Sequence, residues 1–150
     1  MRIVLQRVQK AIVNIENKLY SSIGRGYFLL VGIENEDTHE DIMWLVSKIL
    51  GLRIFADEEG KMNLDIKQID GEILIVSQFT LHASTKKGNR PSFIKAARPE
   101  VAIPLYEKFI EEIDKLNQKS PKTGVFGADM QIELINDGPV TIILDSKNKE

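Results

Sequence analysis

Two short apolar runs, Tyr27 to Ile33 and Ile73 to Val76, do most to constrain how this chain folds. Each is too short for a clear helix, and each suits a central strand covered on both faces. Gly24 and Gly26 mark a turn before the first run. Upstream, Ala11, Val13 and Ile15 alternate with Asn14 and Glu16 as in a half-buried strand, although Ile12 breaks the alternation. The first 33 residues therefore read as strands.

Two segments carry a helical period instead. Over 38–50, Ile42, Leu45, Val46 and Ile49 form one apolar face. Thr38 followed by Asp41 resembles a capping box, Glu40 and Asp41 suit the positive end of the helix dipole, and Gly51 is a natural stop. Over roughly 100–117, Leu105, Tyr106, Phe109, Ile113 and Leu116 make a buried stripe. Pro104 lacks a backbone donor, so the helix either starts there or starts near Pro99 and bends. Asp57-Glu58-Glu59-Gly60 reads as a turn, Gln131 to Leu134 alternates like a strand, and Val140 to Leu144 forms a last strand.

A chain of 150 residues fits one domain and buries about 70% of its unfolded surface. No repeat or linker divides it. Its 43% hydrophobic and 28% charged residues exclude a disordered chain. A net charge of −2 does not advertise nucleic-acid binding by the molecule as a whole. The absence of cysteine removes disulfides, thiolate nucleophiles and cysteine metal sites. The start shows no cleavable signal, and no apolar run approaches the roughly 18 residues of a membrane span. The expectation is a soluble, cytoplasmic protein.

Three segments could carry chemistry. Ser77-Gln78-Phe79-Thr80-Leu81 follows a buried strand and would place hydroxyl and amide groups at the sheet edge; equally, Ser and Thr often just end strands by bonding nearby backbone. Residues 84–98 hold Lys86, Lys87, Arg90, Lys95 and Arg98 with no acidic residue, which reads either as a phosphate-binding loop or as a solvated charged one. Phe93 could anchor that loop or stack on a base. Asn136-Asp137-Gly138-Pro139 reads as a tight turn between two strands. About 5–6% of X–Pro bonds are cis, so the sequence alone favours a trans Gly138–Pro139 bond.

Other patterns carry less. Ser84-Thr85-Lys86-Lys87 matches Ser-x-x-Lys without its companion motifs. His39 reads as a surface residue. His82 could be a base, but no acidic residue is obviously set to orient it. The two histidines give no metal spacing, Asp57 to Gly60 lacks calcium-loop spacing, and Gly24-Arg25-Gly26 is no dinucleotide fingerprint.

Taken together, the segments resemble a known family. Ser77-Gln78-Phe79-Thr80-Leu81 and Asn136-Asp137-Gly138-Pro139-Val140-Thr141 are similar to the two signature motifs of D-aminoacyl-tRNA deacylases. Gln6-Arg7-Val8, Arg53-Ile54-Phe55, Gly60-Lys61-Met62-Asn63, Arg90-Pro91-Ser92-Phe93 and Thr123 to Met130 also resemble it, in order along nearly the whole chain. His82 and Ser84 depart from the pattern, which expects a small and often an acidic residue there.

The resemblance implies hydrolysis of the ester joining a D-amino acid, or glycine, to tRNA, with no cofactor and no metal. It implies a homodimer with the active site at the subunit interface, and tRNA rather than DNA or a membrane as partner. It implies that Gly138-Pro139 is cis and enters the partner's pocket, where its carbonyls exclude an L side chain. Thr80 and Ser77 are the catalytic residues expected, and Gln78, Phe79, Phe126, Met130, Gly138 and Pro139 the substrate-binding ones. Thr80 either attacks the carbonyl itself or positions the ester while water attacks with help from the tRNA 2′-hydroxyl; the second is favoured because no base is evident. Charge nominates Lys86, Lys87 and Arg90 for tRNA phosphates. The expected fold is a single strand-rich α/β domain with a partly barrel-like sheet and two main helices. A non-catalytic RNA-binding module and a general esterase using Ser77 or Thr80 are the competing readings.

Overall fold

The computed structural model describes residues 1–150. Its strands are β1 (Arg2–Ile15), β2 (Lys18–Ile23), β3 (Gly26–Gly32), β4 (Phe55–Ala56), β5 (Met62–Leu64), β6 (Glu72–Ser77), β7 (Lys122–Thr123) and β8 (Gln131–Asp145). The helices are α1 (His39–Gly51) and α2 (Pro99–Leu116), with a short 3₁₀ turn at Phe79–His82. The main sheet runs β2-β1-β3-β6-β7, and β8 pairs with β1. The first part of β1 pairs with β3 and its later part with β2, while β8 follows it along the other side. Ser21 Oγ on β2 donates to the Thr123 carbonyl on β7 at 2.8 Å, drawing the two ends of this path together into a nearly closed barrel. No helix is long and apolar enough to cross a membrane.

The strand alternation explains the continuous apolar runs. Tyr27, Leu29 and Val31 of β3, with Ile73 and Ile75 of β6, face a core that includes α1 and α2. Phe28, Leu74 and Val76 face the other side, where they meet Val8, Ala11 and Val13 of β1. Both faces of β3 and β6 are thus covered, so neither strand needs polar positions. β1 changes face along its length: Ile3 and Leu5 join the helix-side core, Ala11 and Val13 the opposite one. Irregular pairing with β8 between Gln6 and Lys10 accomplishes the change, since one unpaired residue reverses the alternation.

The helices form largely where their period places them. α1 starts after Thr38, whose backbone N–H and hydroxyl both donate to the Asp41 carboxylate, at 2.8 and 3.0 Å. Gly51 is the last helical residue and extended Leu52 forms the cap, so the stop comes one residue later than expected and needs no left-handed glycine. α2 starts at Pro99 and runs through Pro104. Its buried stripe includes Tyr106, Phe109 and Ile113, whereas Leu105 is half-buried and Leu116, the last helical residue, is exposed.

One expected turn is absent. Asn136 to Pro139 lies within the continuous strand β8, because β8 finds β1 on both sides of it. Val8 pairs with Asn136 and Gln6 with Thr141, so Asp137 to Val140 bulge out opposite Arg7. The Gly138–Pro139 bond is cis, in place of the trans form that the sequence alone favours.

Candidate active site

β3 and β6 are parallel neighbours, so their carboxyl ends lie together. Ligands of open α/β sheets commonly bind outside such ends. There the chain opens a cleft of about 320 Å³ lined by Val31, Ile33, Val76, Ser77, Gln78, Phe79, Ala97, Ala102, Phe126 to Met130, and Ile132. Its floor is apolar and its polar groups are few, as in a small-molecule pocket.

Local bonding sets each wall. The Gln78 N–H donates to the Val31 carbonyl at 2.7 Å, which continues the β3–β6 pairing past the last strand residue. The chain then tightens into the Phe79–His82 turn, and the Ala83 N–H closes it on the Thr80 carbonyl at 3.0 Å. Gln78 Nε2 donates to Thr80 Oγ1. The N–H groups of Phe79 and Thr80 open this turn, where a helix start offers them no acceptor within the turn itself.

The opposite wall is the 124–130 loop. Gly124 N–H donates to the Ile75 carbonyl at 3.0 Å. A Cβ at Gly124 would stand 2.5 Å from Met130 Sδ, so glycine lets Met130 pack across the loop. Gly127 turns with φ of 75°, a conformation that costs glycine little. Phe126 leans on Tyr106 with ring centroids 5.9 Å apart, and the Tyr106 hydroxyl donates to the Ile75 carbonyl at 3.0 Å. Burial pushes the Tyr106 hydroxyl pKa well above its ordinary value, so it stays protonated near neutral pH and keeps this donor bond.

The structure brings Ser77, Gln78, Phe79, Phe126 and Met130 into one cleft. Thr80 is tied to Gln78 beside the cleft and is itself exposed. Gly138 and Pro139 are exposed on β8 and do not line this cleft. Lys86, Lys87 and Arg90 are exposed on a loop whose root is pinned by paired Ser84 and Ser92. Phe93 meets Phe79 edge-on at 5.0 Å, which makes it the anchor between that loop and the cleft mouth.

Three residues to which the sequence reading assigns no role stand out in the structure. Asp129 is the single charged residue lining the cleft, and no ion pair or hydrogen bond engages it. It lies within the 123–130 segment, where the sequence nominates Phe126 and Met130 but not the carboxylate. Arg7 reaches the β8 bulge: its Nε donates to the Asp137 carbonyl at 3.0 Å, and Nη1 donates to the Ile54 carbonyl. Glu34 supplies the acidic neighbour that His82 lacks in the sequence, with Oε1 at 3.2 Å from Nδ1. The two are distant in the chain and meet only because the 3₁₀ turn folds back on the end of β3.

Comparison with other proteins places the chain in a family. The family model described as D-Tyr-tRNA(Tyr) deacylase matches residues 4–145. A protein of Parabacteroides distasonis named D-aminoacyl-tRNA deacylase is 61% identical over 150 residues, 100% of both chains. One of the same name from Cytophaga hutchinsonii is 63% identical over 148 residues, 98% of each. Among solved structures, one described as c-Myc DNA Unwinding Element Binding Protein matches with a TM-score of 0.92 at 44% identity, covering 97% of this chain and 98% of that one. A family match over almost every residue, with relatives of equal length, settles kinship: the chain belongs to the D-Tyr-tRNA(Tyr) deacylase family.

Proposed function

We propose that this chain hydrolyses the ester bond of D-aminoacyl-tRNAs, and of glycyl-tRNA, and that it spares L-aminoacyl-tRNAs. The observation that carries this reading is the cleft itself, with Ser77, Gln78 and Phe79 on one wall and Phe126 and Met130 on the other. Full-length relatives carry the name of this activity. The apolar lining suits a side chain that is accepted without being read in detail. Asp129 can face the α-ammonium of the aminoacyl group.

The reaction adds water across the ester. The water oxygen bonds to the carbonyl carbon, and the oxyanion so formed needs preorganised donors. The N–H groups of Phe79 and Thr80, at the start of the turn, are suited to that role. The carbon–O3′ bond then breaks, and the proton lost by water ends on O3′, passed through the neighbouring 2′-hydroxyl. Thr80, held by Gln78, positions the ester and does not attack it. Histidine is the usual partner for a hydroxyl nucleophile, and His82 points its free nitrogen into protein. Ser77 stands at the cleft wall and assists in placing the carbonyl.

Selection for handedness comes from a second copy of the chain. Gly138 and Pro139 of one copy enter the cleft of the other and present backbone where an L side chain would point. Enantiomers offer identical groups, so rejection by clash discriminates where attraction cannot. A glycine with φ of 124°, whose missing Cβ would meet Arg7 Nη2 at 3.0 Å, supports a wall of backbone at that point. Exposed Ile135 and Ile143 on β8 favour burial against a partner. Lys86, Lys87 and Arg90 neutralise tRNA phosphates beside the cleft mouth, and tRNA is the nucleic acid the chain serves.

Hydrolysis of D-tyrosyl-tRNA by the purified chain tests the activity, and light scattering of the same sample tests the assembly. Turnover by a dimer is the expected result; an inactive dimer or an active monomer would each refute one half of the proposal.

A further inference from the structure

We infer that His82 and Glu34 form a positioning pair that registers Thr80 and the basic loop against the cleft. The inference rests on the deacylase reading above and names how its reacting turn is held.

His82 is 4% exposed, and its Nε2 is buried without any hydrogen-bond partner. Such an atom cannot reach a substrate, so the ring is no general base in this arrangement. A buried polar atom without a partner also costs stability. Leucine would fill the same space without that cost, so packing alone does not account for a histidine here.

What the ring does offer is Nδ1, 3.2 Å from Glu34 Oε1. Glu34 is itself fixed: its N–H donates to Asp37 Oδ2 at 2.8 Å, and it bridges Ala96. The adjoining Ile33 carbonyl accepts the Ala97 N–H at 2.8 Å, and Ile33 and Ala97 both line the cleft. The imidazole edge lies on Gly32, where a Cβ would come within 3.0 Å of His82 Cδ2. Arg2 Nη1 donates to the Leu81 carbonyl at 2.7 Å and secures the same turn from the other side. His82 thus ends the turn that carries Thr80, and two residues later Ser84 begins the paired root of the basic loop. A contact from this ring to the end of β3 sets both at once.

The test compares His82→Leu, Glu34→Ala and Glu34→Gln in D-tyrosyl-tRNA deacylation, with kcat, KM and thermal midpoint measured separately. His82→Leu should lower kcat by about tenfold or more, the order expected when a reacting group is displaced, while the midpoint holds or rises. Glu34 is only partly buried, so Glu34→Ala should fold and lower kcat in the same way, whereas Glu34→Gln keeps an oxygen facing Nδ1 and should stay within about threefold of the parent. If His82→Leu proves unstable, the two Glu34 variants decide. Parental kcat in Glu34→Ala, or equal impairment by Ala and Gln, overturns the pair. A parent chain without deacylase activity would instead count against the function proposed above.

Discussion

Arg7 grips Asp137 twice: its Nε donates to the Asp137 carbonyl at 3.0 Å and stands 3.2 Å from the carboxylate Oδ2. The guanidinium also holds the Ile54 carbonyl, so it spans from the β8 bulge to the segment after α1. The residue next to Asp137 is Gly138, which the proposal sends into a second copy's cleft. Loosening the grip should therefore misplace the chiral wall without touching the cleft. Arg7→Lys cannot reproduce the fork of donors. It should lower the ratio of D to L deacylation by about tenfold or more, measured on matched tyrosyl-tRNAs. An unchanged ratio would remove Arg7 from the mechanism.

Thr80 gives the cleanest separation of the two chemical routes. If its hydroxyl only positions the ester, Thr80→Ala should reduce kcat by about ten- to a hundredfold and leave measurable turnover. Single-turnover kinetics would show this directly. Loss to the background rate, or a trapped acyl-enzyme in the parent, would make Thr80 the nucleophile.

The basic loop makes a separate prediction about salt. Each phosphate contact to a single strand contributes about 0.7 to the slope of log K against log salt. Replacing Lys86, Lys87 and Arg90 with Gln should weaken tRNA binding and flatten that slope by about 2. Hydrolysis at saturating tRNA should change little. Equal slopes for variant and parent would show the loop to be solvated and idle.

Acid stability should depend on Asp41. Burial raises its carboxyl pKa, but hydrogen bonds from Lys147, Ser146 and Thr38 outweigh that and leave it well below the usual carboxylate range. A carboxyl pKa lowered by folding stabilises the fold fully above the unfolded value, about 3.9, and the contribution is lost as pH falls through the folded value. Lys147 Nζ donates to Asp41 Oδ2 at 2.7 Å, so Lys147→Met should diminish this acid-side dependence. Thermal midpoints from pH 2 to 7 would show it as a smaller drop below pH 4 in the variant.

Residue patterns reveal those elements whose partners lie on both faces or on one clear face. Tyr27 to Val31 is legible because two cores demand apolar side chains in succession. Ile42, Leu45 and Ile49 are legible because one core demands them at helical spacing. Asn136 to Pro139 is misread as a turn, since Asn, Asp, Gly and Pro also build bulges and only the distant pairing with β1 distinguishes the two. The contact of His82 with Glu34 and the placing of Asp129 are fixed by tertiary folding, and no local spacing encodes either. The motif 77–81 gives the cleft wall at once, whereas Gly138 and Pro139 lie away from that cleft within one chain.

The most direct test of the whole account is a paired assay with D-tyrosyl-tRNA and L-tyrosyl-tRNA at equal concentration. The D ester should be lost rapidly while the L ester decays at its uncatalysed rate. Loss of both at similar rates would contradict the chiral wall at Gly138 and Pro139, and loss of neither would contradict the deacylase itself.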